Sequence, residues 1–246
     1  MVQARQTKPM LILGHRGASA DFPENTREAF AAALAQGADG VELDVMRCAS
    51  GELVVCHDDE LSRLARKRWV VARTAWWKLK QADVGTALGF RPARIPLLEE
   101  VLEALPAPFV VNVELKCESV DDRGLAVEVG RLLERREEGD RVVVSSFNPL
   151  CLLRLAHAFP WVKRGLLLDP SRGWFHQAWV FQPLVGRDTV HPHHSQCTQE
   201  RVDFWHQRGL KVAAWTVDDG AVARALAARG VDMVITNRPA ALRAAL

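Results

Sequence analysis

From Leu11 to Thr236 the chain alternates apolar runs of strand length with longer segments whose apolar residues recur at helical spacing. This alternation constrains the fold strongly, because a strand returns to a parallel neighbour only through a crossover long enough to hold a helix. The strand-like runs are Leu11 to Gly14, Val41 to Val45, Phe109 to Leu115, Val142 to Ser145, Gly165 to Leu168, Thr189 to His191, Lys211 to Thr216 and Met233 to Thr236. Helical stripes separate them. The first holds Phe30, Ala33, Leu34 and Gly37 behind a cap at Asn25, with Glu28 three residues on. The next two hold Leu97, Leu98, Val101, Leu102 and Leu105, then Leu125, Val129, Leu132 and Leu133. The rest are a segment from about Leu150, Trp174 to Phe181, Gln199 to Arg208 and Ala221 to Arg229. Eight strands with helical segments in 246 residues predict an α/β chain folded as one (β/α)8 barrel domain, a fold of typically about 250 residues. The competing doubly wound open sheet usually carries a glycine-rich turn after its first strand, where this chain has Gly14-His15-Arg16-Gly17.

One stretch breaks the alternation. Cys48-Ala49-Ser50-Gly51 reads as a hairpin turn returning into Leu53 to His57. Asp59 to Arg94 then shows weak periodicity, three tryptophans, nine basic residues and three acidic ones. It reads as an insertion packed over the barrel mouth with solvated arginines, with a contact surface for anionic partners as the alternative. Over the whole chain 32 Lys and Arg balance 30 Asp and Glu to a net charge of +2, without the basic excess of a dedicated nucleic-acid binder. The longest apolar stretch, seven residues from Ala29 to Ala35, falls well short of the roughly 18 that a membrane span needs. Five scattered cysteines and a start, MVQARQTKPM, without an apolar signal core lead to the expectation of reduced thiols in a cytoplasmic protein with no stable membrane insertion. Oligomeric state leaves no mark in the sequence.

Barrel chemistry occurs at the C-terminal ends of the strands, so polar residues without a packing reason there are the candidates. Strand one ends in His15-Arg16, strand two carries Glu42 and Asp44, the hairpin return ends in His57, and strand three carries Glu114 and Lys116. Alternate residues of a strand share a face, so Glu42 points with Asp44 and Glu114 with Lys116. Carboxylates converging in a low-dielectric interior repel one another unless a cation or protons neutralise them, and hard oxygen donors suit Mg²⁺ or Ca²⁺. The bland reading is that each carboxylate is separately salt-bridged. His15 and His57 add groups that exchange protons near neutral pH, and Arg16 and Lys116 add cations for an anionic ligand. Together they suggest phosphoryl-transfer or phosphodiester chemistry. Trp215, at the end of strand seven, reads either as an aromatic wall of that pocket or as core packing. The histidines of His191-Pro192-His193-His194 have no cysteine or histidine at finger-like spacing, which argues against structural zinc.

The ordered motifs make the chain resemble the glycerophosphodiester phosphodiesterases, most closely the cytoplasmic bacterial type. The resemblance is carried by His15-Arg16-Gly17, Pro23-Glu24-Asn25-Thr26, Glu42-Leu43-Asp44, His57-Asp58, Ile95-Pro96-Leu97-Leu98-Glu99, Glu114-Leu115-Lys116, Ser145-Ser146-Phe147, Trp215-Thr216-Val217 and Ile235-Thr236-Asn237-Arg238-Pro239. It implies a TIM barrel with an insertion after strand two, and hydrolysis of small glycerophosphodiesters such as glycerophosphocholine or glycerophosphoethanolamine to glycerol 3-phosphate and an alcohol. It implies Glu42, Asp44 and Glu114 as ligands of a divalent cation, Mg²⁺ or Ca²⁺. It also implies His15 and His57 as the acid/base pair, and Arg16 and Lys116 as phosphate-contacting cations. Attack by the neighbouring glycerol hydroxyl, giving a cyclic phosphate, is the expected route, with direct attack by water as its rival. The chain departs from the family pattern where Asp is commoner than Asn237, Pro commoner than Cys117, and Thr frequent at Leu97 or Leu98. Two other functions fit less well. A lysophospholipase D-like lipid enzyme would use Trp69, Val70, Val71, Trp76 and Trp77 as an apolar ramp. A non-catalytic phosphodiester binder would be expected to have lost a histidine or carboxylate.

Overall fold

The computed structural model describes residues 9–171, 185 and 188–246. Eight parallel strands close into a barrel: β1 (Leu11–His15), β2 (Gly40–Arg47), β4 (Val110–Leu115), β5 (Val142–Ser146), β6 (Lys163–Leu168), β7 (Thr189–Pro192), β8 (Lys211–Ala214) and β9 (Met233–Thr236). Each pairs in parallel with the next, and β1 closes the ring by pairing with both β9 and β2. The remaining strand, β3 (Leu53–Val55), is the hairpin return, antiparallel on β2 with Val45 opposite Val55. The closed barrel and the hairpin were therefore both legible in the sequence, with strand ends displaced by one or two residues.

Among the described residues the bounded helices are α1 (Arg27–Ala35), the short α2 (Ser62–Ala65) and α3 (Trp76–Leu79), α4 (Leu98–Ala104), α5 (Leu125–Arg135), α6 (Pro149–Ala158), α7 (Gln199–His206), α8 (Gly220–Ala228) and α9 (Pro239–Ala245). The expected helix from Trp174 to Phe181 lies outside the described residues. The cap of α1 is Thr26 rather than Asn25: its hydroxyl accepts from the Ala29 amide at 3.3 Å. Asn25 takes a left-handed conformation (φ 57°) that turns it toward β2. At the start of α4 Leu97 has no side-chain acceptor, and Glu100 reaches back to its amide at 2.9 Å.

Helix faces and strand exteriors make the principal core, in which Phe30, Leu98, Val101, Leu133 and Leu152 pack on Val41, Leu43, Val111, Val113 and Val144. The barrel interior is split. One side is apolar, with Leu13, Ala213, Met233 and Ile235; the other buries Glu42, Asp44, Asn112, Glu114, Ser145, Thr189 and His191. The segment 59–94 packs around an apolar cluster of its own: Leu61, Leu64, Val71, Leu79, Val84 and Ala93 meet Met46, Val54 and Cys56 of the hairpin, and Trp69 and Trp76 cover them. Lys78 lies 4.6 Å from the centroid of the Trp69 ring. Of the five residues of the possible lipid ramp, Val71 is fully buried and Trp77 is the exposed one. No helix among the described residues is long and apolar enough to cross a membrane.

Gly130, in the middle of α5, shows how tightly the outer layer is packed. A Cβ there would fall 2.1 Å from Cδ2 of the buried Phe159 ring, at the end of α6. Alanine ordinarily stabilises a helix interior over glycine by about 1 kcal/mol, whereas overpacking costs about 1–3 kcal/mol. Gly130→Ala is therefore expected to lower the urea midpoint, and adding Phe159→Leu to recover part of the loss. A raised midpoint in the single variant would refute the close packing of α5 on α6.

Candidate active site

The parallel pairing of β2 with β4 sets Asp44 beside Glu114 and Glu42 beside Asn112. Since alternate residues share a face, this register directs Glu42, Asp44 and Glu114 into the barrel together. The three carboxylates offer oxygen atoms within 4.8 Å of one another, and all three residues are buried. Burial, together with the charges of Asp44 and Glu114, pushes the Glu42 carboxyl well above the usual carboxylate range. Burial and then Asp44 push Glu114 up as well, although Lys116 opposes them. For Asp44 burial also opposes ionisation, but the Arg16 guanidinium and the Lys116 ammonium hold its carboxyl below the usual value. Hard oxygen donors whose charges are mutually destabilised fit a divalent cation: a cation bound among them would remove the repulsion that burial amplifies.

The compensating groups come from three places. Arg16 follows β1 in a left-handed conformation (φ 54°), which points its amide at Glu42 Oε2 (3.1 Å) and its Nε at Asp44 Oδ2 (3.2 Å). The turn is possible because Gly17 (φ 85°) lies against α1; a Cβ there would fall 2.5 Å from the Ala29 carbonyl carbon. Lys116 places Nζ 3.1 Å from Glu114 and 3.8 Å from Asp44. Asn25 grips Asp44 twice, with Nδ2 donating to Oδ2 (2.8 Å) and Oδ1 accepting from the backbone amide (3.2 Å).

The two histidines are oriented by different partners. His57 Nδ1 lies 2.8 Å from Asp58 Oδ1. Arg63, from the inserted segment, holds Asp58 through Nε (2.7 Å) and Nη2 (3.0 Å) while also reaching Glu24, which in turn binds Arg16 at 2.8 Å. His15 Nδ1 lies 2.7 Å from Asn237 Oδ1, and its Nε2 is 3.9 Å from Glu42. Asp218 can only accept when ionised and receives both the Asn237 backbone amide (2.8 Å) and its Nδ2 (2.6 Å). Ser19 donates to the Asn237 oxygen at 2.8 Å. The Asn237 amide is thereby fixed with its oxygen toward His15, so Nδ1 of His15 is the donor and Nε2 keeps its lone pair. Burial lowers the His15 pKa from its ordinary value, which keeps that neutral form.

A cavity of about 260 Å³ joins these groups: His15, Arg16, Glu42, His57, Glu114, Lys116 and Trp215 line it, with Asp44 beneath in contact with Arg16 and Lys116. All eight residues singled out in the sequence thus meet in one place. Trp215 answers to both of its readings. It lines the cavity and stands edge-on to Phe147 with centroids 5.5 Å apart, while its Nε1 donates to the His191 carbonyl and its ring packs on the apolar interior cluster. Asn112 also lines the cavity, and neither atom of its buried amide has a hydrogen-bond partner. His191 is buried and bonded to Thr189, and among the described residues none of the histidines at 191, 193 and 194 joins a cluster suited to a metal. Glu24, Asn25, Asp58 and Arg63 were missed as site residues. Glu24 stood in the Pro23-Glu24-Asn25-Thr26 motif without a role, Asn25 was read as a helix cap, and nothing in the spacing of the insert marked Arg63 among its basic residues.

A family model described as the glycerophosphoryl diester phosphodiesterase family matches residues 15–241. A glycerophosphodiester phosphodiesterase of Caldanaerobacter subterraneus subsp. tengcongensis is 33% identical over 235 residues, covering 94% of this chain and 96% of its own. One from Bacillus altitudinis is 31% identical over 234 residues, covering 93% and 94%. Among solved structures, an Oleispira antarctica phosphodiesterase in complex with the product sn-glycerol-3-phosphate superposes with a TM-score of 0.85 at 30% identity, covering 96% of each chain.

The Asn237 contact is open to direct measurement. Nitrogen NMR of the neutral His15 ring is expected to place the proton on Nδ1, and Asn237→Leu to shift the population toward the Nε2 tautomer. A native ring protonated mainly on Nε2 would contradict the orientation derived above.

Proposed function

Because the chain belongs to the glycerophosphoryl diester phosphodiesterase family, we propose that this cavity hydrolyses glycerophosphodiesters, such as glycerophosphocholine and glycerophosphoethanolamine, to glycerol 3-phosphate and an alcohol. The observation that carries this reading is the meeting of two differently held histidines, two cations and three buried carboxylates in one small cavity. The product seen with the Oleispira antarctica relative supports the same substrate class. An apolar ramp for a lipid chain finds less support, because the candidate residues largely pack within the insert.

Glu42, Asp44 and Glu114 would hold a divalent cation, Mg²⁺ or Ca²⁺. Bound there, it would supply Lewis-acid charge to a non-bridging phosphate oxygen. Arg16 and Lys116 bind the remaining phosphate charge and are already in place before substrate arrives, so little reorganisation accompanies the rise of negative charge in the transition state. Asn112 offers its unpaired amide to a substrate hydroxyl, and Trp215 with Phe147 forms the wall beside it. His15, neutral and with Nε2 free, takes the proton of the attacking hydroxyl. His57, whose Nδ1 faces the Asp58 carboxylate, gives a proton to the leaving alcohol. Each transfer contributes typically about 10² to 10⁴ in rate.

Purified protein is expected to release glycerol 3-phosphate from glycerophosphocholine in the presence of Mg²⁺ or Ca²⁺ and to stop in EDTA. Release undiminished by EDTA would overturn the metal role; cleavage of lysophospholipids alone would favour the lipid enzyme; and silence on every phosphodiester would favour a binding protein. Division of labour between the histidines is expected to appear with a p-nitrophenyl phosphodiester, whose leaving group needs no proton. His57→Ala should regain most of its activity there, while His15→Ala should stay at least about 10²-fold down. Equal rescue of both variants would exclude this assignment.

A further inference from the structure

Between Asp59 and Arg94 nine basic residues outnumber three acidic ones in a chain whose total charge is +2, so the rest of the molecule is net negative and the positive surplus sits on this segment. Two of its acidic groups are turned to local use. Asp83 Oδ1 accepts from the amides of Gly85 (3.0 Å) and Thr86 (3.1 Å), and Glu60 accepts from the Ser62 hydroxyl. The turn after α2 carries Arg66, Lys67 and Arg68, all exposed. Lys67 and Lys78 bring their ammonium groups to the same indole, 6.0 and 4.6 Å from the centroid of the Trp69 ring. Beside Lys78 in α3, Trp77 is 64% exposed. Among the described residues Arg63 pairs with carboxylates, whereas Arg66, Lys67, Arg68 and Lys78 do not.

We propose that this face of the insert docks the protein reversibly on an anionic phospholipid surface. Two ammonium groups gathered at one indole, with no carboxylate between them, repel each other, and an external layer of phosphates removes that repulsion. The exposed indole of Trp77 supplies the second element of an interfacial anchor: its amphipathic ring suits the headgroup level, while the cations beside it pair with lipid phosphates. Neither element holds a protein on a bilayer alone; together they do so reversibly. Orientation follows from the charge asymmetry, since the net-negative remainder of the chain is repelled by the surface that attracts the insert. A single-stranded nucleic acid would engage the same cations, but such binders offer platforms on which successive bases stack. Here Lys78 already lies against the Trp69 ring, and Trp76 covers the core of the insert.

The docking face belongs to the segment whose Arg63 holds Asp58 behind His57. On the reading of the cavity given above, the substrate is what remains when both acyl esters of a glycerophospholipid are hydrolysed, a reaction of bilayer surfaces. Docking would therefore hold the enzyme where its substrate is set free. Binding to the surface does not itself depend on that reading, because none of the catalytic groups takes part in it.

Sedimentation of the full chain with phosphatidylcholine vesicles, with and without about one-third phosphatidylglycerol, tests the proposal at about 0.1 M salt, where charges are screened beyond about 10 Å. Binding is expected to the mixed vesicles and not to pure phosphatidylcholine. Each cation near the surface contributes roughly fivefold, so Lys67→Gln combined with Lys78→Gln should weaken binding at least about tenfold. Trp77→Ala should weaken it about tenfold through the lost apolar burial. All three changes alter surface side chains, and the variants should keep the native circular dichroism. Absence of binding to the mixed vesicles, equal binding to pure phosphatidylcholine, or binding that the paired lysine changes leave intact would overturn the proposal. So would indifference to Trp77→Ala, since any polycation would then serve. Tighter binding to a single-stranded oligouridylate than to vesicles, lost in the same lysine variant, would overturn it in favour of a nucleic-acid surface.

Discussion

Three carboxylates brought into one register are the constraint to which the rest of this molecule answers. The strand pairing that closes the barrel between β2 and β4 is the same pairing that sets Asp44 beside Glu114, so the fold cannot form without concentrating charge. A slip of one residue would relieve the repulsion, but it would also turn Leu43 and Val113 inward and press the carboxylates against the helices, which the apolar outer core forbids. Repulsion is therefore built in and must be met by neighbours. Arg16, Lys116 and Asn25 meet it, each coming from a different element, and two of these three positions require backbone outside the ordinary strand and helix regions. Left-handed φ at Arg16 and Asn25 is a local cost that the carboxylate charge offsets.

The compensation does not stop at the first partner. Arg16 is shared between Asp44 and Glu24, Glu24 between Arg16 and Arg63, and Arg63 between Glu24 and Asp58, which ends the chain on His57. Charges alternate along it, so each group is held from two sides. His15 belongs to a different system, in which an amide relays the orientation imposed by Asp218. One imidazole thus faces a carboxylate and the other a neutral oxygen on the same barrel rim.

Much of this was legible because strands obey a period of two. Glu42 with Asp44, and Glu114 with Lys116, could be placed inside the barrel from spacing alone, and the strand-end positions of His15, His57 and Trp215 followed from the order of elements. What the sequence hid were interactions between segments distant in the chain whose local pattern pointed elsewhere. Asn25 has the composition of a helix cap and sits next to one, yet a single backbone dihedral hands the cap to Thr26 and sends Asn25 to Asp44. Arg63 is one of nine basic residues in a stretch without strong periodicity, and its contact with Glu24 spans 39 positions. Asp218 reaches His15 through Asn237, and no spacing rule connects an amide to the carboxylate that orients it.

The inserted segment has an apolar cluster of its own and touches the catalytic network through the guanidinium of Arg63. Its broader attachment is apolar, through the cluster it shares with Met46, Val54 and Cys56 of the hairpin. Its outward surface, including the exposed Trp77, stands apart from both the small core and the one long cation that reaches back to Glu24 and Asp58. What holds this segment in place is therefore a shared apolar cluster and the reach of one guanidinium, while the carboxylates of the site belong to the barrel beneath.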